Sequence, residues 1–251
     1  MKTIIIDAGH GYAADGTTED NGAIANGHTE REFTVSIGQK LMIGIAADPL
    51  LKKFICLGIG VNERLTITQH IEKINKSMAS SDSLLISLHI NSGDASAHGI
   101  EGWHPTRGGE SVFFAQSLTS SVALNTKFTL RNPAVQPSSA NRLGRLGVLD
   151  DTFNISCLIE LGFISNIDDL AILMNNQDDI VKGLIAGLKS YWRMSPISVF
   201  PDVPVDSWYN DAVTKVFKAG IMAGYIDGNF KPQQPITRAE MAVIISRMLK
   251  L

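Results

Sequence analysis

The hydrophobic pattern changes period repeatedly over the first 190 residues. Residues 2–7 form a short β-branched run that gives way to Gly9 and Gly11, as expected of a buried strand entering a loop. Phe33, Ile37, Leu41 and Ile45 then recur every fourth residue and predict a helix over 30–47. Thr29 is its expected N-cap, and Glu32 three residues on completes a capping box. Further strands are expected at 53–57, 83–89, 99–103 and 155–163, and further helices at 65–78, 110–124 and 178–191. Strands alternating with helices predict an α/β fold, with a largely buried central sheet flanked by helices.

The pattern breaks at residues 194–199 (Met-Ser-Pro-Ile-Ser-Val). The expected organisation is a domain over 1–193, a linker over 194–199 and a second domain over 200–251. The second stretch predicts two helices, 208–219 and 238–249, around a Gly- and Pro-containing loop at 220–235. A two-helix unit of this size buries too little surface to be more than marginal alone. It is expected to pack on the first domain or on copies of itself.

Composition adds exclusions. The 251 residues are 44% hydrophobic and 19% charged, with net charge -3, which is ordinary for a globular chain. There is no clustered basic character of the kind that nucleic-acid binding needs. No apolar run approaches the ~20 residues of a membrane span, so no membrane insertion is expected. The N-terminal run is too short for a signal-peptide core. Cys56 and Cys157 lie in apolar strands as small hydrophobes and make no disulfide framework.

Several polar residues stand at the ends of predicted strands or at a helix start. His10 follows the first strand, His89 ends a later one and Glu30 opens the first long helix. In open α/β sheets such positions gather functional groups. Two imidazoles and a carboxylate could hold a catalytic zinc with one coordination place open, and Asp7 could orient a ligand from behind. Glu160, a carboxylate in an apolar strand, could act as a general base. Taken singly, each residue has a structural alternative: a hydrogen-bonded histidine, a helix-start charge or a salt-bridged core group. The spacing is not that of a contiguous metal motif.

Four segments decide among these readings. Ile6-Asp7-Ala8-Gly9-His10-Gly11, Asn26-Gly27-His28-Thr29-Glu30, Ser87-Leu88-His89-Ile90-Asn91 and Ile159-Glu160-Leu161-Gly162-Phe163-Ile164-Ser165-Asn166 resemble, in order and at similar separations, the signatures of the Amidase_3 family of N-acetylmuramoyl-L-alanine amidases. The resemblance covers roughly the first 190 residues. It implies a twisted central sheet flanked by helices, zinc held by His10, Glu30 and His89, and Glu160 as the catalytic carboxylate. The implied reaction is hydrolysis of the amide between N-acetylmuramic acid and L-alanine in peptidoglycan. Position 8 is Ala where the family often has Pro, and residues 60–70 match its Arg-rich stretch poorly. The family pattern makes Glu30 rather than His28 the ligand. It places the segment of His98, Trp103 and His104 near the cleft rim, where Trp103 either stacks on substrate or fills core. His70 reads as surface or core filling.

Phe200-Pro201-Asp202-Val203, Trp208-Tyr209, the segment from Gly224 to Pro232, and Ile236-Thr237-Arg238-Ala239-Glu240 resemble a surface-layer homology (SLH) module over nearly all of 200–251. Thr237 is expected to cap the last helix, with Glu240 completing the box. The resemblance implies binding to a secondary cell-wall polysaccharide, with Trp208, Arg238 and Gly228 as expected contact positions. Arg238 at a helix start suits a pyruvate-ketal carboxylate. Trp208 either stacks on a sugar or fills core between the helices, and Gly228 permits a tight turn. Because related proteins carry several modules and this chain has one, homo-oligomerisation through the module is expected. Together these features point to a wall-anchored peptidoglycan amidase. With no export signal legible, a phage endolysin or prophage lysin, made in the cytoplasm and acting on the wall after release, is favoured over a bacterial autolysin. The alternatives are an inactive amidase-like wall-binding protein and a zinc peptidase or deacetylase acting on another wall bond.

Overall fold

A computed structural model describes residues 3–77, 83–192, 200–204, 207–225 and 228–249. Met78, where one predicted helix ends, and the expected linker at 194–199 lie outside the described residues. By its internal packing the chain divides into two compact units, Met1–Trp192 and Arg193–Leu251.

The first unit runs β1 (Thr3–Ala8), β2 (Gly11–Tyr12), β3 (Glu19–Asp20), β4 (Ile24–Ala25), β5 (His28–Thr29), α1 (Glu30–Ala47), β6 (Ile55–Ile59), α2 (Ile67–Lys76), β7 (Ser83–Asn91), β8 (Ile100–His104), α3 (Glu110–Asn125), β9 (Leu130–Pro137), α4 (Gly147–Asp150), β10 (Ile155–Phe163), α5 (Ile167–Asn175) and α6 (Gln177–Tyr191). Six strands form one mixed sheet in the order β6-β1-β7-β10-β8-β9. The pairs β6-β1, β1-β7 and β7-β10 are parallel, while β8 runs antiparallel to β10. Strand β1 is buried along its whole length, so its Ile-rich run does not alternate.

Side chains alternate between the two faces of the sheet. Helix α1 lies over Ile6 and Leu88, with Gly38 set against both. The opposite face carries Ile5, Leu85, Leu158 and Trp103, packed with Ile74 of α2 and with Val148 and Leu149 of α4. Trp103 is 7% exposed within that cluster, so it fills core and is not placed to stack on a ligand. Cys56 and Cys157 are both free. Two strands separate their own strands in the sheet, at about 4.8 Å per step, which is too far for a disulfide.

The predicted capping box at Thr29 and Glu32 forms, and it starts α1 at Glu30. Strand β9 and helix α5 carry no clear periodic signal. Strand β9 contains Pro133 and Pro137 and lies at the sheet edge, where proline is tolerated. Helix α5 is short, and Asn166 caps it by accepting from the backbone N–H groups of Asp168 and Asp169.

In the second unit α7 (Asn210–Lys218) and α8 (Arg238–Leu249) accompany a small core of Phe200, Val203 and Val213, backed by Tyr209 and Phe230. Asp202 accepts backbone N–H bonds from Phe230 and Lys231 at 2.9 and 2.7 Å, tying the loop to the chain start. Thr237 and Glu240 form the predicted reciprocal cap, with Thr237 Oγ1 3.1 Å from the Glu240 N–H and Glu240 Oε2 2.7 Å from the Thr237 N–H. No residue of α8 is buried.

Helices α3 and α6 approach closely because α6 carries Gly183 and Gly187 one turn apart. A Cβ on Gly183 would lie 2.6 Å from the Val122 Cα, and one on Gly187 would lie 2.8 Å from the Leu118 Cα. Replacing a helical Gly with Ala normally stabilises by about 1 kcal/mol. Here either Gly→Ala change is expected to destabilise instead, by about 1–3 kcal/mol, because backbone must move to make room. Urea unfolding of the two variants reads the sign directly.

Candidate active site

The site is assembled where the parallel strands end. Strand β1 delivers His10 two residues beyond its last residue, β7 delivers His89, and the N-terminus of α1 delivers Glu30. The potential ligand atoms of these three residues all lie within 4.8 Å of one another. His28, by contrast, pairs with Glu32 on the exposed side of α1 and takes no part.

Glu30 is the hub. Its Oε1 lies 2.9 Å from His89 Nδ1 and accepts the Ile90 N–H at 2.9 Å. Its Oε2 lies 3.1 Å from His10 Nε2 and accepts the Ala23 N–H at 2.9 Å. Burial opposes a charge on Glu30, but the hydrogen bonds to His10 and His89 outweigh it and hold the carboxyl well below its usual range. Burial likewise works against charge on His10, yet bonding to Glu30 and then Asp20 raises its pKa to about 9. The His10 backbone takes a left-handed φ of 70°, strain of the kind that collects at functional sites. Beside it, Gly22 leaves room for both groups: a Cβ there would lie 2.5 Å from Glu30 Oε2 and 2.7 Å from the His10 ring.

Glu160 sits opposite His89 across β7-β10 and opposite Glu101 across β10-β8. The three side chains therefore form a row on one face of the sheet. Glu160 is half-buried as a residue, yet its Oε2 is sealed from solvent and has no hydrogen-bond partner among the described residues. Burial, then the negative charges of Glu30 and Glu101, push its pKa well above the usual carboxylate value. Glu101 itself is fixed by Asn91 Nδ2 and Arg131 Nε, each at 2.9 Å.

The remaining expected residues divide clearly. Asp7 does not orient a metal-site histidine. It is 2% exposed, accepts from Ser87 Oγ at 2.7 Å and pairs with His70, itself 3% exposed. His70 is thus a buried partner and not a surface residue. His98 is exposed, and His104 is buried with Nδ1 2.8 Å from the Pro105 carbonyl; neither joins the cluster. Two residues without a sequence signal do shape the site. Buried Arg31 donates to the carbonyls of His10 at 2.6 Å, Gly60 at 2.9 Å and Glu63 at 2.7 Å, binding the β1 exit to the β6–α2 loop. Asp20 lies 3.0 Å from His10 Nδ1. A cavity of about 210 Å³ opens beside His10 and His89, walled by Tyr12, Leu65, Ile67 and Val148.

In the second unit Trp208 is 91% exposed, and its ring meets that of Tyr209. It does not fill core between the helices. Arg238 is exposed at the start of α8, and Gly228 takes a left-handed φ of 81° in its turn. No hydrogen bond or ring contact links these three among the described residues. A separate groove of about 430 Å³ is lined by Tyr225, Phe230, Lys231, Ile236, Val243 and Arg247.

Two nitrogens and one carboxylate oxygen suit a zinc ion with a place left open, so the donors present fit the metal that the sequence implies. Such binding must displace the His10 proton. Between pH 7 and 9 the zinc affinity is therefore expected to rise about tenfold per unit. For the metal-free fold the sign is opposite. His10 titrates near 6.5 when unfolded and near 9 when folded, so its contribution is complete below 6.5 and lost as pH climbs to about 9. Calorimetric zinc titrations and chelator-treated melting curves over this range check both.

Residues 4–190 match the family model described as N-acetylmuramoyl-L-alanine amidase, and residues 199–242 match the S-layer homology domain. The amidase LytC of Bacillus subtilis is 28% identical over 206 residues, which are 76% of this chain and 36% of LytC. A second Bacillus subtilis protein, YqiI, is 28% identical over 198 residues, covering 76% of this chain and 85% of its own. The crystal structure of N-acetylmuramoyl-L-alanine amidase from Clostridium difficile 630 superposes with a TM-score of 0.63 at 24% identity, over 76% of this chain and 96% of its own. With three quarters of its length accounted for in this way, the chain belongs to the N-acetylmuramoyl-L-alanine amidase family and joins an enzyme of that kind to an S-layer homology domain.

Proposed function

We propose that the first unit hydrolyses the amide between the lactyl group of N-acetylmuramic acid and L-alanine of the stem peptide, and that the second holds the enzyme on wall polysaccharide. The observation that carries this reading is the cluster of His10, Glu30 and His89 with Glu160 in register beside it. Zinc held by the three ligands would supply Lewis-acid polarisation of the scissile carbonyl and a positive charge favouring ionised Glu160. Glu160 takes a proton from the attacking water as it adds to the amide carbon. It then returns the proton to the departing alanine nitrogen as the C–N bond breaks. Its burial and lack of a competing partner suit both steps, because the proton stays on the carboxyl until the amine accepts it.

Digestion of purified peptidoglycan, followed by mass spectrometry, tests the reaction. Zinc-loaded protein is expected to release stem peptides with a free L-alanine amine, leaving lactyl-bearing glycan, and chelator-stripped protein to release none. Glu160→Ala is expected to abolish cleavage while zinc remains bound. Full activity in that variant removes Glu160 from the mechanism, and cleavage at another bond overturns the substrate assignment.

For the second unit, the exposed Trp208 and the Arg238 guanidinium at a helix start support binding of an anionic polysaccharide. Helix α8 leaves Met241, Val243, Ile245 and Met248 exposed, which supports association of the module with further copies. A chain ended after Trp192 is expected to digest purified wall but to pellet with it less, and to sediment as a monomer where the full chain sediments as an oligomer. Equal pelleting removes the anchoring role, and a full chain that sediments as a monomer removes the association. In the phage-type lysin reading, added protein lyses intact cells, and a turbidity assay on such cells tests that origin.

A further inference from the structure

The two histidines of the cluster are not held alike. His89 meets Glu30 through its Nδ1. His10 meets Glu30 through its Nε2, and its Nδ1 faces away, 3.0 Å from Asp20 Oδ2. The placement of Asp20 is built in. Strands β2 and β3 pair with Gly11 opposite Asp20, which sets the carboxylate beside the residue preceding Gly11. The other oxygen, Oδ1, accepts the Gly22 N–H at 2.9 Å, so both oxygens are engaged and the carboxylate has one orientation. Arg64 clasps the same hairpin, donating to the Gly11 carbonyl at 3.2 Å and to Asn21 Oδ1 at 3.1 Å.

We propose that Asp20 is a positioning residue for the metal centre, holding His10 with its proton on Nδ1 and its Nε2 free for zinc. The inference rests on the metal-binding reading of the cluster. A neutral imidazole can carry its proton on either nitrogen, and only the form protonated at Nδ1 offers a lone pair at Nε2. An acceptor fixed behind the ring selects that form, stops the ring from turning and makes Nε2 a stronger donor. His10 needs this more than an ordinary ligand. Its backbone is in a strained left-handed conformation on a loop, so no regular element fixes its direction.

The test is zinc affinity, measured by competition with a chromogenic chelator, on the full chain and on Asp20→Ala, Asp20→Asn and Asp15→Ala. Loss of a carboxylate behind a ligating histidine typically weakens metal binding by roughly ten- to a hundredfold. That loss is expected for Asp20→Ala, with Asp20→Asn between it and the wild type because an amide oxygen still accepts the Nδ1 proton. Asp15 is the control: it accepts the N–H groups of Thr17 and Thr18, each at 2.8 Å, and so shapes the same hairpin without touching His10. Asp15→Ala is expected to leave the affinity unchanged. Cobalt-loaded Asp20→Ala is expected to show a shifted visible absorption, which reports the ligand field. Affinity within about twofold of wild type in Asp20→Ala overturns the proposal, as does an equal loss in Asp15→Ala. If circular dichroism shows that Asp20→Ala does not fold, Asp20→Asn is read by the same criterion. A wild-type chain that binds no zinc fails the metal reading itself. Intact wild-type binding with indifferent Asp20 variants fails this inference alone.

Discussion

The first unit depends on a carboxylate that has no business being buried unless it is fully occupied. Glu30 is 4% exposed, and an ionised carboxylate taken out of water is costly unless each oxygen is bonded. Both oxygens are, by two backbone N–H groups and two imidazoles. Those four partners come from the β1 exit, the loop before β4, and the end of β7. One side chain thus ties the start of α1 to the edge of the sheet. The same bonding keeps the site in shape without an ion, because a proton on His10 takes up the charge balance. On the zinc-binding reading proposed above, that geometry is already close to what the ion requires, and little reorganisation is left to oppose binding.

Around that hub, the sheet does the aligning. Parallel pairing of β1, β7 and β10 brings their ends to one edge, and register puts Glu160 beside His89. The row continues to Glu101, whose negative charge adds to that of Glu30 in raising the Glu160 pKa even with Arg131 paired to it. Arg131 in turn lies 4.8 Å over the Phe163 ring, at the same end of β10. The charge on Glu160 is therefore set by a neighbourhood reaching across three strands. No substitution at Glu101 or Arg131 should be read as local.

Much of this was legible beforehand, for physical reasons. Strands buried on both faces read as unbroken Ile and Leu runs, α1 shows its period and its Thr29–Glu32 cap, and the resemblance to the amidase signatures singles out His10, Glu30 and His89. What stayed hidden has an equally physical cause. Asp20 stands in a polar stretch with no period, and only the pairing of the two-residue strands β2 and β3 brings it back to His10. Arg31 looks like a surface charge on a helix, yet its guanidinium lies between carbonyls of two loops that are remote in sequence. Asp7 and His70 were each visible, but their pairing spans 63 positions and redirects Asp7 from the cluster of His10, Glu30 and His89 to the interior. Trp103 and Trp208 illustrate the limit well: the pattern allowed core or surface for both, and packing sent one inward and left the other outside.

The two units also answer different demands. A cleft that needs a buried carboxylate hub calls for a thick sheet with helices packed on it, and about 190 residues supply it. Holding a polymer needs no such depth. The second unit has a core of only a few aromatic and aliphatic side chains around Phe200 and leaves no residue of α8 fully buried. On the proposed reading that economy is workable because the substrate is insoluble and repetitive. A weak contact that keeps the enzyme at the wall raises the local concentration of bonds to be cut, and association of several copies would multiply that contact without enlarging any one module.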